Sequence, residues 1–342
     1  MTLASRDRTD FPEGAMLLDC TIRDGSYAVD FQFEDDFAVE LLAGLGETSV
    51  PLVEIGHGLG LEAERAGVRA CSIADERWCE IAGSTLGDKQ WGMFAQPSFT
   101  RVSSIAAMCD RGMSFVRVGM EAEKVADNLG YLDEVADACP RVYLNLMKTS
   151  DTELDRLLPM LEGVRDDLAG VYVVDSHGTM LPADVRAYVS AVARHFATVG
   201  FHGHNNLGMA NVNSITALQS GALIADGTLN GIGRGAGNAE LESLAGIIAK
   251  TDRDRFGYRQ LARLAEFCRA NMRVVPEDRT MQVFGGVIGI HSGYFPLVSE
   301  LSEKTATDPA VLMETAAGLT DHSPTKDHFH RAAALLADRA AA

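Results

Sequence analysis

Apolar residues along the chain gather into short runs bounded by glycine and polar residues, and between these runs they recur at helical spacing. The runs are Met16-Leu17-Leu18-Asp19-Cys20, Leu52 to Gly56, Gln90 to Phe94, Phe115 to Val118, Val142 to Leu146, Val171 to Asp175, Val199 to His204 and Leu223 to Leu229. They succeed one another at intervals of roughly 25 to 35 residues, each short enough for one strand. Asp35 to Leu45, Ser103 to Arg111 and Leu154 to Val164 carry the amphipathic helical period. β units alternating with helices predict a parallel sheet. Eight of them within about 250 residues predict a (β/α)8 TIM barrel of the α/β class. An open doubly wound sheet is the competing architecture, but no G-x-G-x-x-G follows the first run.

The alternation stops near residue 252. Tyr258 to Asn271 has the pattern of a closing helix, and Pro276 to Arg279 that of a polar linker. Gln282 to Tyr294 is glycine-rich and mostly uncharged, and no element is assigned to it. Leu297 to Thr305, Pro309 to Gly318 and Lys326 to Ala341 predict short helices. The chain therefore divides into a barrel over residues 1–272 and a small C-terminal helical domain over residues 273–342.

Composition narrows the partners. The 342 residues carry a net charge of -18, with a pI near 4.9. Such a field repels nucleic acid and anionic membrane, so neither is expected as a partner. A small anionic substrate would need local positive charge or a metal. The six cysteines are irregularly spaced with no C-x-x-C, as expected for reduced thiols of a cytoplasmic protein. Met1 to Gly14 has no apolar core, so no signal peptide is expected. No apolar run approaches the ~18 residues of a membrane span.

Barrel active sites collect at the C-terminal strand ends, and those ends are chemically loaded here. In Gly200-Phe201-His202-Gly203-His204-Asn205-Asn206 two histidines lie two residues apart, so a strand points both to one side. The bland reading is a pair of satisfied polar residues at a strand end. The first strand ends in Thr21-Ile22-Arg23-Asp24-Gly25-Ser26-Tyr27. Asp24, His202 and His204 make a two-histidine, one-carboxylate set suited to a divalent ion with open positions, and Asn238 offers a further carbonyl oxygen. Arg23 stands where a guanidinium would stabilise a developing oxyanion, or simply pair with a carboxylate. The turn Gly231 to Gly237 would either cradle an anion or only permit tight packing. His57 and His177 are further rim candidates, and Asp175 is expected to position a neighbour.

With these residues in place the chain resembles the DRE-TIM metallolyase family. Leu18-Asp19-Cys20-Thr21-Ile22-Arg23-Asp24-Gly25 is similar to its R-D-G signature. His202 to Asn211 is similar to its H-x-H-N-x-x-G-x-A segment, and Gly237-Asn238-Ala239-Glu240-Leu241-Glu242 to its G-N-x-x-L-E turn. Within the family the resemblance is nearest to the 4-hydroxy-2-oxovalerate aldolases, and it runs from about residue 15 onward. It implies cleavage or formation of a C–C bond in a 4-hydroxy-2-oxo acid, with Mn or Mg as the divalent ion. It implies Asp24, His202, His204 and Asn238 for the metal, Arg23 for the enolate, and Ser176 and His57 with Arg23 for the substrate. Small 2-oxo acid and aldehyde ligands, a homo-oligomer and an acylating aldehyde dehydrogenase partner docked on the tail are implied as well. A Claisen-type acyl-CoA synthase and a non-catalytic barrel scaffold are the alternatives.

The chain departs from the aldolases at two places. Tyr27 stands where the family has its basic histidine, and His291 aligns with a family tyrosine, so the pair is expected to have exchanged roles. Phe94 and Gln96 replace small apolar specificity residues, which implies a different aldehyde.

Overall fold

The computed structural model describes residues 11–274, 279–320 and 322–341. Eight parallel strands close into a barrel in sequence order: β1 Met16–Asp19, β2 Leu52–Ile55, β3 Gln90–Ala95, β4 Phe115–Glu121, β5 Val142–Met147, β6 Gly170–Asp175, β7 Val199–Gly203 and β8 Ile224–Gly227. The closure pairs Met16 with Ile224 and Asp19 with Gly227. The TIM barrel expected from the spacing is the fold observed, and the open-sheet alternative falls.

Eight helices cover the barrel: α1 Asp35–Gly46, α2 Asp75–Thr85, α3 Val102–Asp110, α4 Leu129–Ala138, α5 Leu154–Met160, α6 Pro182–Val192, α7 Ala210–Gln219 and α8 Leu241–Ile248. α5 stops short of the predicted Val164: Leu161 and Glu162 donate to the Leu158 and Pro159 carbonyls in tight turns, and Gly163 takes the left-handed conformation that ends a helix. α9 Tyr258–Asn271 closes the barrel at the predicted bounds.

Strand alternation separates two cores. Leu17, Val53, Val116, Leu144, Val173 and Phe201 join the layer between sheet and helices. Leu18, Leu52, Phe115, Tyr143, Tyr172 and Ile224 pack together as a separate cluster inside the barrel. One pleat further toward the C-terminal end, the inward positions become Glu54, Arg117, Asn145, His202 and Asp226, all buried. The barrel is thus apolar at its base and charged beneath its mouth.

The tail holds α10 Arg279–Ile288, α11 Phe295–Thr305, α12 Pro309–Ala317 and α13 Lys326–Ala341, with a small core of its own around Val298, Leu312, Met313 and Phe329. Of the expected polar linker, residues 276–278 lie outside the described residues, and Arg279 opens a helix. The glycine-rich stretch is helical as well. A Cβ on Gly286 would come within 2.9 Å of Asn206 and 3.0 Å of Leu207, and one on Gly285 within 2.5 Å of the Phe295 ring. These glycines let the helix press onto the β7–α7 loop and onto its own core. Asn206 Nδ2 donates to the Gln282 carbonyl at 3.1 Å and secures the contact.

Candidate active site and metal centre

The turn after β1 aims the site. Asp19 accepts hydrogen bonds from the backbone N–H (3.0 Å) and hydroxyl (2.7 Å) of Thr21, and the Thr21 hydroxyl oxygen accepts the Leu229 N–H at 2.8 Å. The pinned turn projects Arg23 and Asp24 into the barrel. Arg23 donates through Nε to Glu54 at 2.6 Å and through Nη1 to Asp24 at 2.8 Å, with its guanidinium over the Phe94 ring. Glu54 is shared with Arg117, whose Nε lies 2.7 Å away, and Arg117 also pairs with Asp226. Asp226 in turn accepts the Nδ1–H of His202 at 2.8 Å.

Burial alone would raise both acids. The Arg117 and Arg23 guanidiniums outweigh it at Glu54, which falls to about 2. Arg23 and the two histidines hold Asp24 well below the usual carboxylate range. Two guanidiniums, Arg23 and Arg117, therefore face three carboxylates, Glu54, Asp226 and Asp24, in a buried array. One negative charge is left over, which a bound cation would balance.

The histidines are set to use that charge. His202 spends Nδ1 on Asp226, and His204 donates its Nδ1–H to the Gly237 carbonyl at 3.2 Å. Each ring is thereby oriented through the nitrogen that does not ligate. His202 Nε2 lies 3.7 Å from Asp24 Oδ2, and the ligand atoms of Asp24, His202 and His204 all fall within 4.8 Å of one another. Burial lowers His204 to about 4, so its ring is neutral and able to ligate at neutral pH. Asn238 donates its amide N–H to Asp24, while its buried Oδ1 has no partner among the described residues. These donors fit a divalent ion with mixed nitrogen and oxygen ligands. A second cluster, Cys20, His202 and Asp226, is already occupied by Arg117.

A small cavity of about 80 Å³ is lined by the buried Arg23, Asp24 and His202, by His204, and by the half-buried Tyr27, Arg234 and His291. Tyr27 fits because residue 58 is glycine, where a Cβ would meet its ring at 2.5 Å. Burial raises the Tyr27 phenol, so it stays protonated at neutral pH. The Arg234 guanidinium stacks on that ring at 4.8 Å and donates to the phenol oxygen at 3.4 Å. His291 arrives from the tail, and its Nδ1 accepts the Gly293 N–H at 3.2 Å. Burial, with Arg234 and His177 nearby, holds His291 neutral, well below its ordinary range. Ser176 and Asn145 line the wall; the Ser176 oxygen accepts the Lys148 N–H at 2.8 Å, and the Asn145 Oδ1 is buried without a partner among the described residues.

Some expected residues are placed elsewhere. His57 is not brought to this cavity: its Nε2–H donates to the Arg69 carbonyl at 2.9 Å, its Nδ1 accepts the Leu59 N–H at 2.9 Å, and its ring stacks on Phe31. Both nitrogens are occupied, so it shapes the loop instead. It borders a larger cleft of about 420 Å³ beside α2 and α3, which none of the ligand set reaches. His177 lies behind the wall, donating to Asp151 at 2.9 Å, and Asp175 caps its own loop through the N–H groups of Thr179 and Met180. The Gly231–Gly237 turn is no anion cradle through the amides of Gly231, Ile232, Gly237 and Asn238, which donate to nearby carbonyls. The sequence reading passed over Glu54, Arg117 and Asp226. Their signal was a charge inside a strand buried on both faces.

Comparison with known proteins gives the chain a family. The HMGL-like family model matches residues 15–268. An oxaloacetate decarboxylase of Mycobacterium tuberculosis is 36% identical over 70% of this chain and 73% of its own length. A 4-hydroxy-2-oxovalerate aldolase of Spirochaeta aurantia is 33% identical over 86% of this chain and 88% of its own. Among solved structures, the carboxyl transferase domain of Rhizobium etli pyruvate carboxylase superposes with a TM-score of 0.75 at 12% identity, over 97% of this chain and 61% of that one. At that identity the likeness is one of fold.

Proposed function

Because this chain belongs to the HMGL-like family, with relatives that are carbon–carbon lyases by name, we propose that it is a divalent-metal-dependent aldolase acting on a 4-hydroxy-2-oxo acid. The observation that carries the reading is the convergence of Asp24, His202 and His204 beside Arg23, with one unbalanced negative charge on a buried floor. Mn or Mg suits the ligand set. Such an ion would act as a Lewis acid toward the carboxylate and keto oxygens of the substrate.

The chain's own groups account for the rest of the reaction. A base removes the 4-hydroxyl proton, the C3–C4 bond breaks, C4 becomes the aldehyde carbonyl, and the electron pair passes to the C2 oxygen. Arg23 is fixed by Glu54 and Asp24 and faces that developing charge without reorganising. Protonation at C3 then yields the 2-oxo acid. Tyr27 receives Arg234's N–H at its oxygen, so its own O–H is free to donate to substrate. Ser176 likewise keeps its hydroxyl proton free for a substrate oxygen.

His291 is the base in this reading, because it is a neutral imidazole lining the cavity. With Nδ1 accepting from Gly293, the ring carries its proton on Nε2, which suits the acid of the condensation direction. Cleavage starts from the other tautomer, at the cost of one exposed hydrogen bond worth about 1 kcal/mol.

Decarboxylation of a 2-oxo acid is a second reading, favoured by Tyr27 standing where the family's basic histidine is expected, since loss of CO2 needs no base to begin. Acyl-CoA condensation has no such observation in its favour. We further propose a cytoplasmic homo-oligomer whose tail, residues 273–342, is the surface for an acylating aldehyde dehydrogenase. Pyruvate release from 4-hydroxy-2-oxovalerate and from oxaloacetate, each with and without a chelator, tests the central reading. Metal-dependent aldehyde release supports it, and pyruvate from oxaloacetate alone replaces it with the second reading.

A further inference from the structure

Arg234 is the strongest charge in the cavity that the steps above do not consume. Arg23 and Arg117 are both paired with carboxylates. Arg234 has no salt bridge to any of the described residues, in a chain with a net charge of -18. Its guanidinium is nevertheless held in place. Its Cζ lies over the Tyr27 ring, 4.8 Å from the centroid, it donates to the phenol oxygen at 3.4 Å, and it abuts the tail so closely that a Cβ on Gly293 would come within 2.5 Å of Nη2. A guanidinium fixed in this way retains N–H groups for a planar anion and loses little freedom on binding one.

Position decides which anion. Asp24, His202, His204 and Arg23 form the floor, where the proposed chemistry places the 2-oxo acid end of the substrate. Arg234, in the loop after β8, lines the same cavity but is half-buried like Tyr27 and His291, whereas Arg23, Asp24 and His202 are buried, so it stands on the solvent side, where the far end of the same molecule would lie. We propose that the substrate is a 4-hydroxy-2-oxo dicarboxylate whose distal carboxylate is held by Arg234, so that the aldehyde released is itself a carboxylic acid. This rests on the aldolase reading above. The carboxylate stays on the aldehyde fragment throughout, so its pairing with Arg234 is kept in the transition state. In a decarboxylation the paired carboxylate would lose its charge as CO2 forms, and the same contact would hold back the reaction.

The test uses the full chain reconstituted with Mn. Two substrates of equal carbon count are compared by pyruvate release: 4-hydroxy-2-oxoglutarate, which ends in a carboxylate, and 4-hydroxy-2-oxovalerate, which ends in a methyl. Calorimetry compares their uncleavable counterparts, 2-oxoglutarate and 2-oxovalerate. The wild type is expected to favour the dicarboxylate in both measurements. Arg234→Gln should cut the ratio of the two kcat/KM values by roughly 10- to 100-fold, the range for one charge-assisted contact. Arg234→Lys should restore part of it. Equal ratios in wild type and Arg234→Gln, or a wild-type preference for the methyl compound, would overturn the proposal and leave Arg234 as packing for Tyr27. Cleavage of both substrates without preference sinks this inference alone. An Arg234-dependent preference for 2-oxoglutarate without cleavage of either substrate upholds the anchor and sinks the aldolase reading.

Discussion

On the floor of the cavity each charged side chain has at least two polar partners, whereas at the mouth Arg234 has no salt bridge among the described residues and is held by one hydrogen bond at 3.4 Å and by its packing on Tyr27 and the tail, and His291 Nδ1 accepts one N–H at 3.2 Å. The floor comes from barrel strands, the residue that follows β7 and the turn after β1, and its residues orient one another from Asp24 through Arg23, Glu54, Arg117 and Asp226 to His202. The mouth is assembled from two loops and the tail. A closed network suits chemistry shared by many substrates, because it fixes charge at one place and resists change. A rim held without ion pairs suits discrimination, since Tyr27, Arg234 or His291 can be altered without leaving a buried charge unpaired. This difference separates what the site does from what it does it to.

The largest expected effect lies in the ligand set. His202→Ala should abolish stoichiometric metal and lower turnover by more than the roughly 10- to 100-fold that loss of an orienting partner costs. Asp226→Asn, which weakens the bond to His202 Nδ1 and the pairing with Arg117 but leaves the ligands in place, should fall within that 10- to 100-fold range. Metal content by elemental analysis, beside pyruvate release, checks both. Equal losses from the two changes would mean that Asp226 does more than orient.

Stability should follow the same division. Arg117→Met leaves Asp226 without its guanidinium and Glu54 with Arg23 alone, and should cost about 3–5 kcal/mol in denaturant unfolding. Arg234→Gln breaks no ion pair among the described residues and should stay within about 0.5 kcal/mol of wild type. A large loss from Arg234→Gln would break the comparison, because the mouth would then be structural.

At the mouth, His291→Ala should lower kcat by about 100-fold, the low end for a lost general base, with little change in KM. Tyr27→Phe removes one hydrogen-bond donor and should cost about tenfold. Equal, small effects would leave the base unassigned.

Much of this division was legible in the sequence. Asp24, His202 and His204 stand at the ends of predicted strands, and strand periodicity alone places the histidines on one face. Asn238 was anticipated as an oxygen donor and lies against Asp24. The support beneath them was less legible, because Glu54, Arg117 and Asp226 come from three separate strands and meet only when the barrel closes. His57 misled because its place at a strand end matched that of the other rim residues, while the bonds that occupy it come from its own loop, through Leu59 and Arg69. In the Gly231–Gly237 turn the glycines drew the notice that Arg234 warranted. The helix over Arg279–Ile288 was missed because glycine is a poor helix former, and the contacts it permits there belong to the tertiary structure.

The smallest effect concerns pH and the metal-free protein. His291 is held neutral by burial, so below pH 6.5 the unfolded chain binds a proton that the folded chain refuses, and stability falls on acidification. Full expression of one such proton is about 1.4 kcal/mol per pH unit. Glu54 has a lowered pKa, so its contribution is complete above about 4.5 and lost only as the pH falls toward about 2. His291→Gln should therefore flatten the stability profile between pH 6.5 and 5, and Glu54→Gln should not. Unfolding midpoints across that window measure both.

The central claim is that Asp24, His202 and His204 hold one divalent ion that engages a 2-oxo acid, and it is tested most directly by calorimetric titration of Mn into the chelator-treated chain, followed by oxalate as a mimic of the pyruvate enolate. The account predicts one ion per chain, oxalate binding only after metal is bound, and loss of both in Asp24→Ala and His202→Ala proteins that remain folded. Oxalate binding without metal, or metal binding unchanged by either substitution, would contradict it.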